Sequence, residues 1–404
     1  MGDATGMSAL TPLSTPRGWC ELRGAFGDVV GVLGEPLAHV RGDALTPVSV
    51  LGVLDVVDGA RSDLADDERI VFVLGYEACC ALDPRTRHKM PDPALGPAAI
   101  AWRLRVTPLS STAPTASPPT SISAAPSLTL RTTAAARDRH RARIRDCREA
   151  LLDGVIYQAN LAHRLTIDAG DVDAGHAFFV AHAGPTACAA FVDMPGFGSL
   201  ISLSPERFVT ADLDAHQAFT YPIKGTVKRS GDDDDEVARL RASDKDRAEH
   251  VMIVDLLRND LGRVAVPGGV SVQSLMHVVS TSSVHHLEST IAARLRDDVG
   301  VAQLLVAVAP GGSITGAPKS AAVDVIAALE DGPRGAYTGV LGVVDGHGHL
   351  VTSLLIRTWI RPDQGSGSLH VGGGIVVDSD PDAEWLETLH KAAAFGQVVI
   401  DDDA

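Results

Sequence analysis

The chain has 404 residues, of which 45% are hydrophobic and 21% charged, enough apolar content for one large core or two closely packed lobes. Its 51 acids against 35 bases give a formal net charge of −16, which excludes nucleic-acid or anionic-membrane binding through overall charge. Any anionic ligand has to be met locally. No stretch approaches the ~20 apolar residues of a membrane span. The opening M-G-D-A-T-G-M-S lacks a basic start followed by an apolar secretory core, and Gly6 stands where a myristoylation signal wants Ser or Thr. Cys20, Cys79, Cys80, Cys147 and Cys188 make no C-x-x-C pair and no even framework, which argues against a zinc site or disulfide scaffold and for reduced thiols in the cytoplasm.

In chain order, I-V-F-V-L-G-Y (70–76) reads as a strand between turns. Residues 107–135, rich in Pro, Ser, Thr and Ala, read as a loop. They divide an N-terminal part, 1–106, from a better-marked region, 136–398. A surface helix is predicted over 137–152 and a strand over 155–161. Further strands are predicted at 198–203, 206–211, 217–223, 338–344, 350–360 and 368–377, and helices at 235–261, 299–308, 316–330 and 381–396. Strands in runs, with helices between the runs, predict an α+β architecture with an antiparallel sheet core.

Several stretches carry chemistry. In P-I-K-G-T (222–226), Lys224 follows an apolar approach and precedes a Gly-Thr turn. The acid run G-D-D-D-D-E (231–236) reads as a solvated charge cluster at a helix start. Asp246 and Glu249 lie near the N-terminal edge of a helix whose buried face carries residues 252, 253, 256 and 257. Glu384, Glu387 and Lys391 share one helical face, either as an exposed salt-bridged surface or as part of a set of carboxylates for a hard divalent cation. An EF-hand over that stretch is excluded by Ala383 and Leu389, which replace its Gly and closing Glu. In P-G-G-S-I-T-G-A-P-K-S (310–320), Ala317 and Pro318 separate Gly from Lys, so it is no P-loop but a Gly-rich turn able to face an anion. Glu206, after a proline at a strand mouth, becomes a general acid if enclosed. Arg357, alone in an apolar strand, calls for a buried carboxylate or an anionic ligand. The V-G-G-G-I cluster from Val371 permits close backbone approach or a bulge.

The ordered set Y-Q-A-N-L (157–161), S-P-E-R-F (204–208), P-I-K-G-T, K-D-R-A-E-H-V-M-I-V-D-L-L-R-N-D-L-G-R (245–263), V-H-H-L-E-S (284–289), G-S-I-T-G-A-P-K (312–319), Y-T-G (337–339), L-I-R-T (355–358) and the G-G-G-I to H-K-A segment (372–392) resembles the chorismate-utilising enzymes. That family includes anthranilate synthase component I, aminodeoxychorismate synthase component I, isochorismate synthase and salicylate synthase. The resemblance spans about residues 137–398 and is faint before 130.

It implies a single large α+β domain with chorismate in a cleft. It implies Mg²⁺ on Glu249 and Glu387, with Glu384 and Asp246 close by, and substrate contacts from Gly225, Thr226, Tyr337, Arg357, Gly373, Gly374 and Lys391. Glu206 would protonate the departing C4 hydroxyl, and His286 matches the histidine that assists pyruvate elimination in anthranilate synthases. Lys224, where anthranilate synthases typically have Ala, implies the aminodeoxychorismate branch, with the amine attacking C2 of chorismate. The water-adding branches use a lysine near 155–161, and this chain has none there.

Without a G-x-C-x-G loop, the chain would draw ammonia from a glutamine amidotransferase partner and pass its product to aminodeoxychorismate lyase. Val227 departs from the Arg frequent after this motif. An anthranilate-forming enzyme and a non-catalytic regulatory paralogue are the alternatives.

Overall fold

Alternation of buried and exposed side chains marks the strands that carry the site. In Val284–Leu295 every second residue from His285 to Leu295 is buried. It pairs antiparallel with Ala265–Ser280 on one side and with Gln217–Thr220 and Ile223–Lys228 on the other. The computed structural model describes residues 18–402 apart from 84, 93–94, 110–127, 169–170, 185, 195, 230, 232, 281–283 and 364.

Among the described residues the strands join in one hydrogen-bonded network. Its pairings are antiparallel except for Leu128–Thr133, which runs parallel to Gly396–Asp401. With helices packed against this mixed sheet, the chain is a single large α+β domain. The N-terminal residues are woven into it: Trp19–Gly24 pairs with Cys188–Met194, and Glu68–Leu74 with Val340–Asp345.

Local chemistry sets the helices. Pro47–Arg61 begins at a capping box in which the Thr46 side chain accepts from Ser49 N, with Pro47 in the first turn, and it buries Val50, Val53, Leu54 and Val57. These belong to a core that includes Ile253 and Leu257 of the helix Asp244–Gly262. Among the described residues no helix is long and apolar enough to cross a membrane. All five cysteines are buried and free.

Four predicted elements are corrected. The loop 107–135 contains the strand Leu128–Thr133, whose Leu128, Leu130 and Thr132 are buried in alternation, and the helix Ala134–Leu152 begins within it. Residues 110–127 of that loop lie outside the described residues. The helix 235–261 is two helices, Asp233–Ala242 and Asp244–Gly262, because Ser243 turns extended and caps the second through its Oγ. The strand 350–360 is two, His349–Leu354 and Thr358–Arg361, separated where Arg357 takes φ 49°. The helix 316–330 starts only at Lys319, after a short strand at Gly316–Ala317.

Candidate active site

P-I-K-G-T does not turn after its lysine. Residues Ile223–Lys228 form a strand whose register against Val284–Leu295 shifts between Lys224 and Thr226. Gly225, at φ +69°, is the bulge. A Cβ there would lie 3.0 Å from Leu240 Cδ1 and 3.2 Å from Asp246 Cβ, so the position needs glycine for conformation and space alike. Lys224 meets the helix Asp244–Gly262, its Nζ 3.9 Å from Glu249 Oε2. Thr226 stands opposite His286.

Burial lowers the pKa of Lys224, against the opposing charges of Glu249 and Glu206; Lys391 lowers it further and Glu387 raises it. Four candidate residues therefore act on one amine. Glu206 is 9% exposed, and its Oε1 accepts from Ser313 Oγ at 2.8 Å. Burial pushes its carboxyl up to about 7, against the Ser313 hydrogen bond and the Lys224 charge. A carboxylic acid with that pKa holds a proton it can deliver near neutral pH. His286 is half-buried, and burial lowers its pKa.

The helix Pro381–Ala392 is capped by Asp380, which accepts from Asp382 N and Ala383 N. Its Glu384 is buried and accepts from Ser379 Oγ at 2.6 Å. Lys391 Nζ lies 2.7 Å from Glu387 Oε1 and donates to Gly372 O at 2.8 Å. The strand Gly367–Ile375, paired with Gln158–Ile167, carries the glycines beneath this helix. A Cβ on Gly373 would sit 3.1 Å from Glu384 Oε2 and 3.8 Å from Glu387 Oε1, and one on Gly374 only 2.1 Å from Gln158 Nε2. The glycine run is thus a close approach without a bulge, and it leaves room around two carboxylates. Glu384 and Glu387 face the space a Cβ on Gly373 would fill, and Glu249 and Glu387 both act on Lys224; carboxylate oxygens of this kind, with Asp246 one turn before Glu249, are the donors a hard divalent cation such as Mg²⁺ takes.

Arg357 is exposed in the break between its strands, and its backbone carbonyl accepts from Leu203 N at 2.9 Å. Among the described residues its side chain has no hydrogen bond or ion pair, so the structure gives it no buried carboxylate partner. Tyr337 is buried, stacks on His370 at 5.4 Å between ring centroids, and its hydroxyl would lie 3.0 Å from a Cβ on Gly372. Arg357 lies in the bend between His349–Leu354 and Thr358–Arg361, and Tyr337 in the turn before Val340–Asp345.

Three features escape sequence patterns. Ser313, in the Gly-rich turn, holds Glu206. Lys319, at the end of that turn, is 2.6 Å from Asp260 Oδ2 and donates to Val308 O at 2.8 Å. Arg334, 1% exposed, donates to both Glu330 oxygens, Ile314 O, Thr338 Oγ1 and Asn160 O, tying together the segments around Tyr337. The acid run at 231–236 is corrected as well: Glu236 is 1% exposed and Asp233 pairs with Arg229. Among the described residues, the three donor side chains that converge within 4.8 Å are Asp233, Glu236 and His285.

The profile of the chorismate binding enzymes matches residues 54–397, and the chain belongs to that family. Over 197 residues it is 49% identical to aminodeoxychorismate synthase component 1 of Salmonella typhimurium, covering 48% of this chain and 43% of that one. The Escherichia coli protein of the same name is 42% identical over 259 residues, 63% of this chain and 56% of its own. Anthranilate synthase component 1 3 of Haloarcula marismortui is 41% identical over 258 residues, 63% of this chain and 50% of its own. The chain spans about half the length of these curated relatives. The crystal structure of anthranilate synthase component I from Streptococcus pneumoniae shares the fold, with a TM-score of 0.72 over 96% of this chain and 95% of that one, at 22% identity.

Proposed function

We propose that this chain converts chorismate and ammonia to 4-amino-4-deoxychorismate, with Lys224 as covalent nucleophile. The observation that carries the reading is the half-buried Lys224, its pKa lowered by burial, beside a buried Glu206 whose carboxyl is pushed up to about 7. Its similarity to two aminodeoxychorismate synthases supports the same product.

Neutral Lys224 Nζ attacks C2 of chorismate as the C4–O bond breaks, and Glu206 gives its proton to the departing hydroxyl, which leaves as water. The proton shed by the new secondary amine restores Glu206. Ammonia then adds at C4, the C2–Nζ bond breaks, and the proton lost by the incoming nitrogen passes to the leaving lysine. The sum is chorismate plus ammonia to aminodeoxychorismate plus water.

Arg357, Tyr337, Lys391 and the backbone N–H groups of Gly225, Thr226, Gly373 and Gly374 hold the substrate's carboxylates. Mg²⁺, held by Glu249 and Glu387 with Glu384 and Asp246 around it, would neutralise carboxylate charge in an acidic protein. A glutamine amidotransferase subunit supplies ammonia, a lyase takes the product on to 4-aminobenzoate, and the cytoplasm houses the reaction.

Purified chain incubated with chorismate, Mg²⁺ and an ammonium salt is expected to yield 4-aminobenzoate once lyase is added. Anthranilate in its place would reject this reading. That outcome would instead favour the branch of the Haloarcula marismortui relative.

A further inference from the structure

His285 carries a nitrogen that the protein leaves unsatisfied. Its ring is 1% exposed, its Nδ1 lies 2.7 Å from Ser280 Oγ, and its Nε2 makes no hydrogen bond. That nitrogen faces two carboxylates, with Asp233 Oδ1 at 3.3 Å and Glu236 Oε2 at 3.8 Å. Donors from the helix Asp233–Ala242 and the strand Val284–Leu295 thus converge on one point. Bonds of about 2.0–2.2 Å around a tetrahedral ion place neighbouring donors roughly 3.4 Å apart, close to both spacings.

One tautomer of His285 suits a cation there. When Nδ1–H donates to Ser280, Nε2 presents a lone pair, and a lone pair aimed at two carboxylates is repulsive unless a positive charge lies between them. Ser280 then plays the outer partner that orients a ligating imidazole. Arg229 does the same for Asp233, its Nε 3.1 Å from Oδ1. Asp233 is partly exposed, which provides an entry path and a water position.

We propose that Asp233, Glu236 and His285 form a second divalent-metal site, taking a borderline transition ion of the Zn²⁺ class and clamping the helix Asp233–Ala242 to the strand that carries His286. The imidazole separates it from the oxygen donors beside Lys224, which suit a hard ion. Cysteine spacing is silent on it, because no cysteine takes part. Val227 and Thr226 stand opposite His285 and His286, so the clamp would hold the strand of the Gly225 bulge.

Chelator-stripped full chain is titrated with Zn²⁺ in excess Mg²⁺. One ion per chain is expected, retained in Glu249→Gln, weakened at least about tenfold in Ser280→Ala and further in His285→Gln. Co²⁺ loaded into the unmodified chain should give the intense visible absorption of a low-coordinate site. Neither Ser280→Ala nor Co²⁺ loading removes a ligand, so the test stands even where His285→Gln does not fold. Absence of stoichiometric binding, equal binding by the unmodified chain and Ser280→Ala, or loss of the ion in Glu249→Gln would each overturn the proposal.

Discussion

Two half-buried lysines, Lys224 and Lys319, stand in contrasting surroundings. Burial lowers the pKa of both. Lys319 Nζ is in contact with Asp260 Oδ2 at 2.6 Å and Val308 O at 2.8 Å, a closed ion pair that joins the helices Asp244–Gly262 and Lys319–Leu329. Lys224 Nζ stands 3.9 Å from Glu249 Oε2, near enough to feel the charge but outside hydrogen-bond distance. A lysine that fastens helices is held in contact with its carboxylate, whereas the 3.9 Å separation at Lys224 suits the proposed nucleophile, which needs its amine available.

Exchanging the amines' surroundings breaks the comparison most severely at Lys224. Lys224→Ala is expected to lower ammonia-dependent product formation by at least about 10³-fold, measured as kcat, with folding preserved. Lys319→Met should leave the chemistry but cost about 3–5 kcal/mol of stability in denaturant titrations, because it strands a buried Asp260. Adding Asp260→Leu should restore most of that loss.

Glu206 sharpens the contrast, since the proposed nucleophile would need an acid and Lys319 would not. Glu206→Gln is expected to reduce kcat by about 10²-fold. If Glu206 is the acid, as proposed, kcat should fall as pH rises through about 7, and this limb should vanish in the variant.

The smallest effect concerns buried bases without a carboxylate. His140 and His370 are held down to about 4 and about 3 by burial. Unfolding frees them to take protons below the ordinary value of 6.5, so stability is complete above it and declines as pH falls towards those values. The expected slope is about 1 kcal/mol per histidine per pH unit, read from thermal or urea unfolding across acidic pH.

The α+β class and the grouping of the candidate residues were legible in the sequence, whereas several element boundaries were not. Lys224, Glu206, Glu249 and Glu387 sit in ordered motifs, and the structure brings their charges to bear on one amine. The interruption at Arg357 was hidden because a run of Leu, Ile and Trp reads as one strand, while its positive φ is set by tertiary pairing. The long hairpin of Ala265–Ser280 and Val284–Leu295 was missed, since its outer strand is largely exposed and carries bulges that blur alternation. Ser313 and Glu206, like His285 and Glu236, meet across segments far apart in the chain, and no local pattern announces such meetings.

The central claim is that the Lys224 amine attacks C2. Intact-protein and peptide mass spectrometry of the chain held with chorismate and Mg²⁺, with ammonia withheld and the reaction quenched, tests it most directly. The account predicts an added mass of chorismate less one water, located on Lys224, absent from Lys224→Ala and discharged by an ammonium salt. Turnover to aminodeoxychorismate by Lys224→Ala at the native rate, with no adduct on the native chain, would contradict it.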